Sequence, residues 1–400
     1  MRIAYISYEY PPDTGFGGIG TYTWQIAKAM VLQNCKVDVF TASQTREVTE
    51  QVEGVCIHRL QVESQNQFNT VVVNKFKQIH SQTKFNLIEC AENGVNAIEI
   101  VKAYPEIPLV VRLHTPSVLV TRMQNTYVPL LSKFRFVLGA LLRGKIDLGF
   151  WSKYDKNQHK DLEYNITLKA KLITGPSQDI KIWANRFWGI DLHNIEIIPN
   201  PYLPTKEFLN IPLENSSKTI TFYGRLNVLK GCVALTYAIK KVLKKHPKWS
   251  FKLIGKNETS HIDNLDMKSW MLSELSSFQS NIEILDWIDY QNIPKILSET
   301  EICVFPSLFE SFSYTCCEAM SAGRAVVGSR NGGMKELLAG NCGLLINPEN
   351  PNEIANALCE FIEDKNLRIT YGQNARQKVL EKYSLDKIGS ATKTSFKKLI

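Results

Sequence analysis

Short apolar runs rich in β-branched residues alternate with helical stretches along most of this chain, and this alternation restricts its fold more than any other feature. In the first third of the chain, the apolar runs are residues 2–7, 36–41, 86–89 and 108–113, and helical patterns occupy 21–32 and 94–103. Strands that are apolar along their whole length and are separated by helices indicate a parallel sheet covered on both faces.

The same alternation returns after residue 170. Further apolar runs occur at residues 171–175, 195–199, 219–224, 251–255, 282–286, 302–306 and 325–329, with helical patterns such as 231–245 and 264–278 between them. Two such blocks predict an α/β protein with two Rossmann-like, doubly wound parallel-sheet domains. The Pro-, Asn- and Ser-rich stretch 200–217 is the predicted joint. We therefore expect an N-terminal domain at 1–200, a C-terminal domain at 201–375 and a final helical segment at 376–400.

Charge and cysteine content narrow the possible partners and the compartment. The 47 Lys and Arg residues exceed the 39 Asp and Glu residues, so the net charge is +8 and an anionic partner is expected. The nine cysteines are odd in number and form no C-x-x-C, which indicates reduced thiols in a cytoplasmic protein. We expect no signal peptide, because the N-terminus lacks a long apolar run, and no window approaches the ~18 apolar residues of a membrane span.

Most of the excess positive charge lies in one segment, residues 121–170, which has nine basic and four acidic residues and reads as a basic amphipathic insert. Within it, apolar residues from Leu130 to Leu142 recur at helical spacing, flanked by Lys133, Arg135 and Arg143. Two interpretations stay open. The helix could pack on its own domain, or residues 128–145 could bind an anionic membrane surface, which would make the protein peripheral at the inner membrane face.

A glycine-rich stretch near the N-terminus matches G-x-G-x-x-G through Gly15, Gly17 and Gly20. A dinucleotide-binding turn should follow its strand directly, but this strand ends near Ser7 and two prolines intervene. The acid that would meet a ribose, Asp38, lies inside a predicted strand. The pattern therefore does not favour NAD or FAD binding.

The alternative interpretation uses Gly17 and Gly18, which precede a helix predicted to begin near Thr21. Glycines let a phosphate approach the backbone, and a helix N-terminus offers unpaired N–H groups. A tight turn into the helix, without any ligand, is the other interpretation that the residues allow.

In the second block, Arg225 and Lys230 lie where a strand ends and a helix begins. A forked guanidinium and a compact ammonium at a helix N-terminus suit a diphosphate. Such a pair could also be solvated surface cations, but ligands bind at the carboxyl ends of strands in doubly wound sheets.

Two acids follow in residues 303–323. Glu310 lies in the loop after a strand, and Glu318 lies on a helix that Ser313 would cap and Gly323 would end. A second glycine-rich loop at 331–333 follows the next strand and also opens a helix.

Together these residues resemble the family-four retaining glycosyltransferases, also described as glycosyl transferases group 1, from residue 1 to about residue 385. The family has the GT-B architecture, in which two Rossmann-like domains face each other across a cleft and a final helix crosses back to the N-terminal, acceptor-side domain. The resemblance implies that Gly17 and Gly18 approach the donor diphosphate and that His114 faces the donor sugar. Asn200 matches the asparagine at the family's interdomain crossover.

For the C-terminal, nucleotide-sugar-binding domain, the resemblance implies that Arg225 and Lys230 bind the diphosphate. It further implies that Glu310 hydrogen-bonds the sugar and Glu318 the ribose, and that backbone N–H groups of three residues meet the distal phosphate and sugar: Phe312, Ser313 and Tyr314. The chain departs from the family where Ser311 and Ser313 replace frequent glycines.

The predicted activity is transfer of a sugar from a nucleoside-diphosphate sugar to an acceptor hydroxyl with retention. The expected catalytic residues are Arg225, Lys230, Glu310 and His114, with no metal or other cofactor. The acceptor is expected to be a glycan or lipid-linked glycan in surface polysaccharide or glycolipid synthesis. A nucleotide-sugar epimerase, a non-catalytic sugar-nucleotide-binding protein and an NAD-dependent enzyme are the alternatives. Nucleic acid is not an expected partner, because the basic segment does not present interleaved aromatic platforms on a recognised nucleic-acid-binding module.

Overall fold

The computed structural model describes residues 1–15, 17–127, 130–144, 158–260, 262 and 265–400. The chain divides into two compact units. The first comprises the described residues of Met1–Pro116, Asn157–Leu203 and Glu381–Ile400, and the second those of Ser117–Lys156 and Pro204–Leu380.

Each unit is built on one sheet. The strands, in chain order, are β1 (Arg2–Ile6), β2 (Lys36–Ser43), β3 (Val48–Val52), β4 (Val55–Gln61), β5 (Leu87–Ala91), β6 (Leu109–Arg112), β7 (Leu172–Gly175), β8 (Ile195–Ile197), β9 (Thr219–Tyr223), β10 (Ser250–Ile254), β11 (Ile282–Leu285), β12 (Ile302–Phe305), β13 (Ala325–Ser329) and β14 (Leu344–Ile346).

Helices separate most of these strands. In chain order they are α1 (Gly18–Leu32), α2 (Gln65–Gln82), α3 (Ile98–Ala103), α4 (Ser117–Tyr127), α5 (Leu130–Leu142), α6 (Leu162–Leu168), α7 (Gln178–Trp188), α8 (Lys206–Leu209), α9 (Cys232–Lys245), α10 (Met267–Glu274), α11 (Ile293–Ser298), α12 (Tyr314–Ser321), α13 (Met334–Leu338), α14 (Pro351–Glu363), α15 (Lys365–Lys382) and α16 (Leu385–Phe396).

The sheet of the first unit has the order β3-β4-β2-β1-β5-β6-β7-β8, and every pairing is parallel except that of β3 with β4. Strands β3 and β4 were not predicted, because their polar residues obscure the strand pattern. In the structure these polar groups are paired, because Arg59 forms an ion pair with Glu50 at 2.7 Å and His58 contacts Asp38 at 3.0 Å.

The C-terminal helix α16 packs along α1 in the first unit. Gly389 lies so close to α1 that a Cβ there would be 2.7 Å from the carbonyl oxygen of Ala29. Gln33 donates its side-chain amide to Asp386 at 2.8 Å, and the hydroxyl of Ser395 donates to Glu196 at 2.6 Å.

The sheet of the second unit is parallel throughout its described strands, in the order β11-β10-β9-β12-β13-β14. Apolar side chains of its central strands pack against α9 and α14 in one buried core that includes Phe222, Leu235, Val304 and Leu358. The two predicted doubly wound parallel-sheet domains are thus confirmed, while the short edge strand β14 was not predicted.

Helices α4 and α5 belong to the second unit. Val120 and Met123 of α4 pack against that unit's core. The helix predicted at 130–142 is confirmed as α5. Its apolar residues are 51–80% exposed at five positions, which are Leu130, Phe134, Leu138, Leu141 and Leu142. The interpretation that this apolar face packs on its own domain is therefore wrong for these side chains. The basic residues of 145–157 lie outside the described residues.

Candidate active site

The loop between β9 and α9, residues 224–231, carries the two predicted diphosphate ligands. Its last residue, Gly231, has φ of 75°, and a Cβ there would lie 1.8 Å from the carbonyl oxygen of Pro306. Only glycine allows this approach to the end of β12. The backbone N–H of Leu308 also donates to Leu229 at 2.8 Å. The loops after β9 and β12 are therefore joined at the carboxyl edge of the sheet.

Lys230 and Glu310 meet at this junction. The Nζ of Lys230 forms an ion pair with Oε1 of Glu310, and the Ser307 hydroxyl donates to the same oxygen at 3.1 Å. Arg225, on the same loop as Lys230, has a side chain that is 55% exposed and lies 3.3 Å from Oε1 of Glu258. The structure thus holds two cations, each paired with a carboxylate, on the loops where the sequence predicts the donor diphosphate.

The second glycine-rich loop, residues 331–333, supports the backbone of Glu310. Gly332 has φ of 80°, and a Cβ there would lie 2.0 Å from the Glu310 carbonyl oxygen. That oxygen accepts the N–H of Gly333 at 2.7 Å. Asn331 donates its side-chain amide to the Leu308 carbonyl at 3.0 Å. This loop therefore fixes the position from which the Glu310 side chain extends.

Helix α12 begins as predicted. Ser313 is its N-cap, and the Ser313 hydroxyl accepts the N–H of Cys316 at 3.3 Å. The rings of Phe312 and Tyr314 lie edge to face, 5.3 Å apart, on either side of the cap. The expected contacts of these backbone N–H groups with a phosphate stay predictions.

Glu318 lies one turn into α12 and is only 8% exposed. Burial raises the pKa of its carboxyl to about 8, and a hydrogen bond with Tyr223 opposes that rise. The Tyr223 hydroxyl donates its hydrogen to the Thr315 carbonyl at 2.6 Å, so it faces Glu318 through its oxygen. At neutral pH the Glu318 carboxyl is therefore mostly protonated, so it can both donate and accept hydrogen bonds.

The other predicted residues lie in the first unit. Helix α1 begins at Gly18, three residues before the predicted start, with Gly17 as its N-cap. The N–H of Gly20 donates to a carboxylate oxygen of Glu9 at 3.2 Å. A Cβ built on Gly18 would meet no atom of the described residues within 4 Å, so they leave this side of the helix start open.

His114 follows β6 and is buried. Its backbone N–H donates to both carboxylate oxygens of Glu92, at 3.0 and 2.9 Å. Burial, with a contribution from Arg112, lowers the pKa of the imidazole to about 3, so the ring is neutral. Its Nε2 has no hydrogen-bond partner among the described residues. The ring packs edge to face on Tyr22 at 5.2 Å.

Asn200 is also buried, and its amide oxygen accepts a hydrogen bond from Arg112 at 2.5 Å. The same Arg112 nitrogen donates to the Ile198 carbonyl at 2.6 Å. Asn200 therefore connects the end of β6 to the chain that follows β8. Its expected role at the donor stays a prediction.

Asp38 lies in β2, where Arg2 donates to both of its carboxylate oxygens at 2.8 Å and His58 contacts it at 3.0 Å. These contacts occupy the acid that a dinucleotide ribose would need, which argues against the NAD interpretation.

Two groups of potential metal ligands occur among the described residues. One joins Asp38, Cys56 and His58 in the first unit, where Arg2 already neutralises the aspartate. The other joins His246, Cys359 and Glu363. His246 follows the C-terminal end of α9, whereas the loop that carries Arg225 and Lys230 precedes the N-terminal end of that helix. Neither group contains a residue of the candidate site.

The side chains that hold the site residues in place, including Asn227, Glu258 and Ser307, were not predicted from the sequence. Glu258 follows β10 at the same sheet edge as Arg225 and Glu310. The rule that ligands bind at strand carboxyl ends could have pointed to it.

Comparison with known proteins identifies the class. The family model described as Glycosyltransferase Family 4 matches residues 16–202, and the one described as Glycosyl transferases group 1 matches residues 217–364. The chain belongs to these family-four, group 1 glycosyltransferases.

Individual relatives agree with this assignment. An uncharacterized glycosyltransferase of Methanocaldococcus jannaschii is 24% identical over 99% of this chain and 98% of that protein. A D-inositol 3-phosphate glycosyltransferase of Corynebacterium glutamicum is 30% identical over 42% of this chain and 40% of that protein.

Solved structures show the GT-B fold. Sucrose-phosphate synthase from Thermosynechococcus elongatus has a TM-score of 0.74 at 19% identity, over 100% of this chain and 98% of that one. Anabaena HepE in complex with UDP-glucose has a TM-score of 0.68 at 17% identity, over 100% of both chains.

Proposed function

We propose that this glycosyltransferase moves a sugar from a nucleoside-diphosphate sugar to an acceptor hydroxyl, with retention and without a metal ion. The observation that carries the proposal is the group of Arg225, Lys230, Glu310 and Glu318 at the carboxyl edge of one sheet, where doubly wound folds bind ligands.

Charge explains how such a group would act. As the anomeric C–O bond breaks, its electron pair passes to the leaving diphosphate, and negative charge grows there. Preorganised cations and backbone N–H groups stabilise that charge, and Arg225 and Lys230 are placed to do so. The acceptor oxygen bonds to the anomeric carbon from the face that the diphosphate leaves, and the acceptor proton passes to the leaving phosphate. The configuration is thereby retained.

The acids would recognise the two ends of the donor. Glu310 is already held by Lys230 and Ser307, so its second oxygen is available to sugar hydroxyls. The mostly protonated Glu318 can donate to one ribose oxygen while accepting from the other. In the first unit, Gly17, Gly18 and neutral His114 keep the roles that the family resemblance implies.

A thermal-shift screen of UDP-, GDP- and ADP-sugars tests the proposal, because a ligand that binds only the folded state raises Tm. We expect one nucleotide class to raise Tm and EDTA to leave turnover unchanged. Absence of any shift, or turnover that depends on added metal, would contradict the proposal. Incubation with the donor alone should leave the sugar's configuration unchanged, whereas its conversion would indicate the epimerase alternative.

We further propose that α5 brings the enzyme to an anionic membrane surface that presents a lipid-linked acceptor. The exposed apolar residues of α5 share the helix with Lys133 and Arg135, and Arg143 follows its end. Apolar insertion combined with basic flanks is the pattern of helices that lie in a membrane interface. No described helix is long and apolar enough to cross the bilayer.

Sedimentation with vesicles that contain 30% anionic lipid tests this partner. We expect binding at low salt, weaker binding at high salt, and a loss of about tenfold or more in L138D, because a buried charge is costly. L272D, at another exposed leucine of the second unit, is the matched control and should bind normally. Equal binding by both variants would exclude α5 as the contact.

A further inference from the structure

Glu258 and Asn227, which were not predicted as site residues, connect the side chain of Arg225 to the backbone of Lys230. Glu258, in the loop after β10, lies 3.3 Å from Arg225 through Oε1 and accepts the side-chain amide of Asn227 at 2.6 Å through Oε2. The amide oxygen of Asn227 in turn accepts the backbone N–H of Lys230 at 3.0 Å. One continuous series of contacts therefore runs from the guanidinium of Arg225 to the turn that carries Lys230.

The backbones that carry these side chains are fixed to each other. The N–H of Leu226 donates to the Lys256 carbonyl at 2.9 Å, and the N–H of Glu258 donates to the Leu226 carbonyl at 3.1 Å. Gly255, with φ of 153°, approaches so closely that a Cβ there would lie 1.9 Å from the Gly224 carbonyl oxygen. Glu258 is thus held at a set position relative to the loop of Arg225 and Lys230.

Asn227 and Arg225 differ in how far their side chains are buried. Asn227 is 4% exposed and uses both its amide N–H and its oxygen, so its orientation is determined by its neighbours. Arg225 is mostly exposed and has a long side chain whose free rotation would be costly to restrict on binding. A carboxylate at 3.3 Å restricts the guanidinium before a ligand arrives, while leaving other N–H groups for that ligand.

We propose that Glu258 and Asn227 are positioning residues for the donor diphosphate, Glu258 by orienting the guanidinium of Arg225 and Asn227 by fixing the turn that presents Lys230. This inference rests on the proposed function. Glu258 also partly neutralises Arg225, which weakens the attraction for an anion in the ground state. Its orienting effect should therefore appear in kcat more than in diphosphate affinity.

The decisive variant is E258Q in the full chain. Its amide oxygen can still accept from Asn227, but the charge that orients Arg225 is lost. Turnover is measured as nucleoside diphosphate release from UDP-glucose, GDP-mannose and ADP-glucose, and affinity by titration with UDP, GDP and ADP. We expect kcat to fall by about ten- to a hundredfold, the cost of misplacing a catalytic group. We expect the Kd of the nucleotide that binds to change by less than about threefold, or to tighten, because the ground-state attraction of Arg225 is no longer reduced.

The control is E274Q, which removes the carboxylate that pairs with Lys240 in the same unit and should leave both quantities unchanged. Wild-type kcat in E258Q would overturn the inference, and so would an equal loss of kcat and affinity, because that result would make Glu258 an ordinary binding contributor. If the wild-type chain itself binds none of the three nucleotides and releases none, the proposed function fails instead.

N227A should weaken nucleotide binding through Lys230, and a folded N227A with unchanged affinity would overturn the role given to Asn227.

Discussion

The two cations of the second unit and His114 of the first unit lie in opposite environments. In the second unit, the side chains of Arg225 and Lys230 remain partly exposed and each contacts a carboxylate. In the first unit, His114 and Glu92 are buried, and burial shifts both toward their neutral forms. Arg225 and Lys230 are therefore suited to supply charge, whereas His114 and Glu92 supply uncharged hydrogen-bonding groups in a fixed shape. Substitution of the exposed cations should thus affect turnover more than stability, whereas substitution of the buried Glu92 should affect the pH dependence of stability.

The largest effect is expected for K230A. It removes a cation from the predicted leaving-group site, and losing one such contact typically costs about 10²–10³ in kcat. Tm should change little, because the ammonium is not part of the buried core. Turnover and thermal melting of purified protein measure both quantities.

K240A is the matched control for that experiment, because Lys240 also pairs with a glutamate in the second unit but lies on α9 outside the candidate site. Near-normal turnover in K230A, or an equal loss in K240A, would remove the diphosphate role and with it the contrast between the units.

A smaller effect is expected for G18A in the first unit. The added methyl group meets no atom within 4 Å in the part of the chain that the structure describes, so the fold should tolerate it. If a phosphate approaches this helix start, the methyl group would obstruct it, and we expect turnover to fall by about tenfold. Tm should be unchanged or slightly higher, because alanine favours a helix over glycine. Wild-type turnover in a folded G18A would assign this turn a structural role only.

Much of the candidate site could be predicted because ligands bind at the carboxyl ends of strands in doubly wound sheets. The side chains that support the site residues could not be predicted in this way. Arg225 and Glu310 follow strands with clear apolar patterns, so their shared sheet edge could be inferred from the sequence. Their supports depend on pairs far apart in the chain, such as Glu258 with Arg225, and no local pattern encodes such distances.

The same limit explains the missed hairpin of β3 and β4. His58 and Arg59 interrupt the apolar alternation of β4, and they become compatible with a buried strand only because the side chains of Asp38 and Glu50, on neighbouring strands, contact them. Tertiary pairing overrides local propensity at such positions.

The smallest effect is expected in the pH dependence of stability. It tests whether the buried carboxyl of Glu92, beside His114, is neutral. Burial raises the pKa of Glu92 to about 8, and neighbouring Glu163 adds to the rise. The folded state then holds a proton that the unfolded state, with an ordinary carboxyl pKa near 4.5, releases. The stability from this group is complete below about pH 4.5 and is lost as pH rises toward 8.

E92Q cannot ionise, so its Tm should fall less than that of the wild type between pH 5 and pH 8.5. At pH 5 the two proteins should melt within a few degrees of each other, because the amide oxygen can still accept from His114. Glu89 and Glu318, whose pKa values burial raises to about 7 and about 8, retain part of the slope in the variant. E99Q, at a glutamate on the exposed side of α3, should keep the wild-type slope. Parallel Tm curves for E92Q and the wild type would show that Glu92 is ionised in the folded protein, and the first unit would then carry a buried charge rather than a neutral carboxyl beside His114.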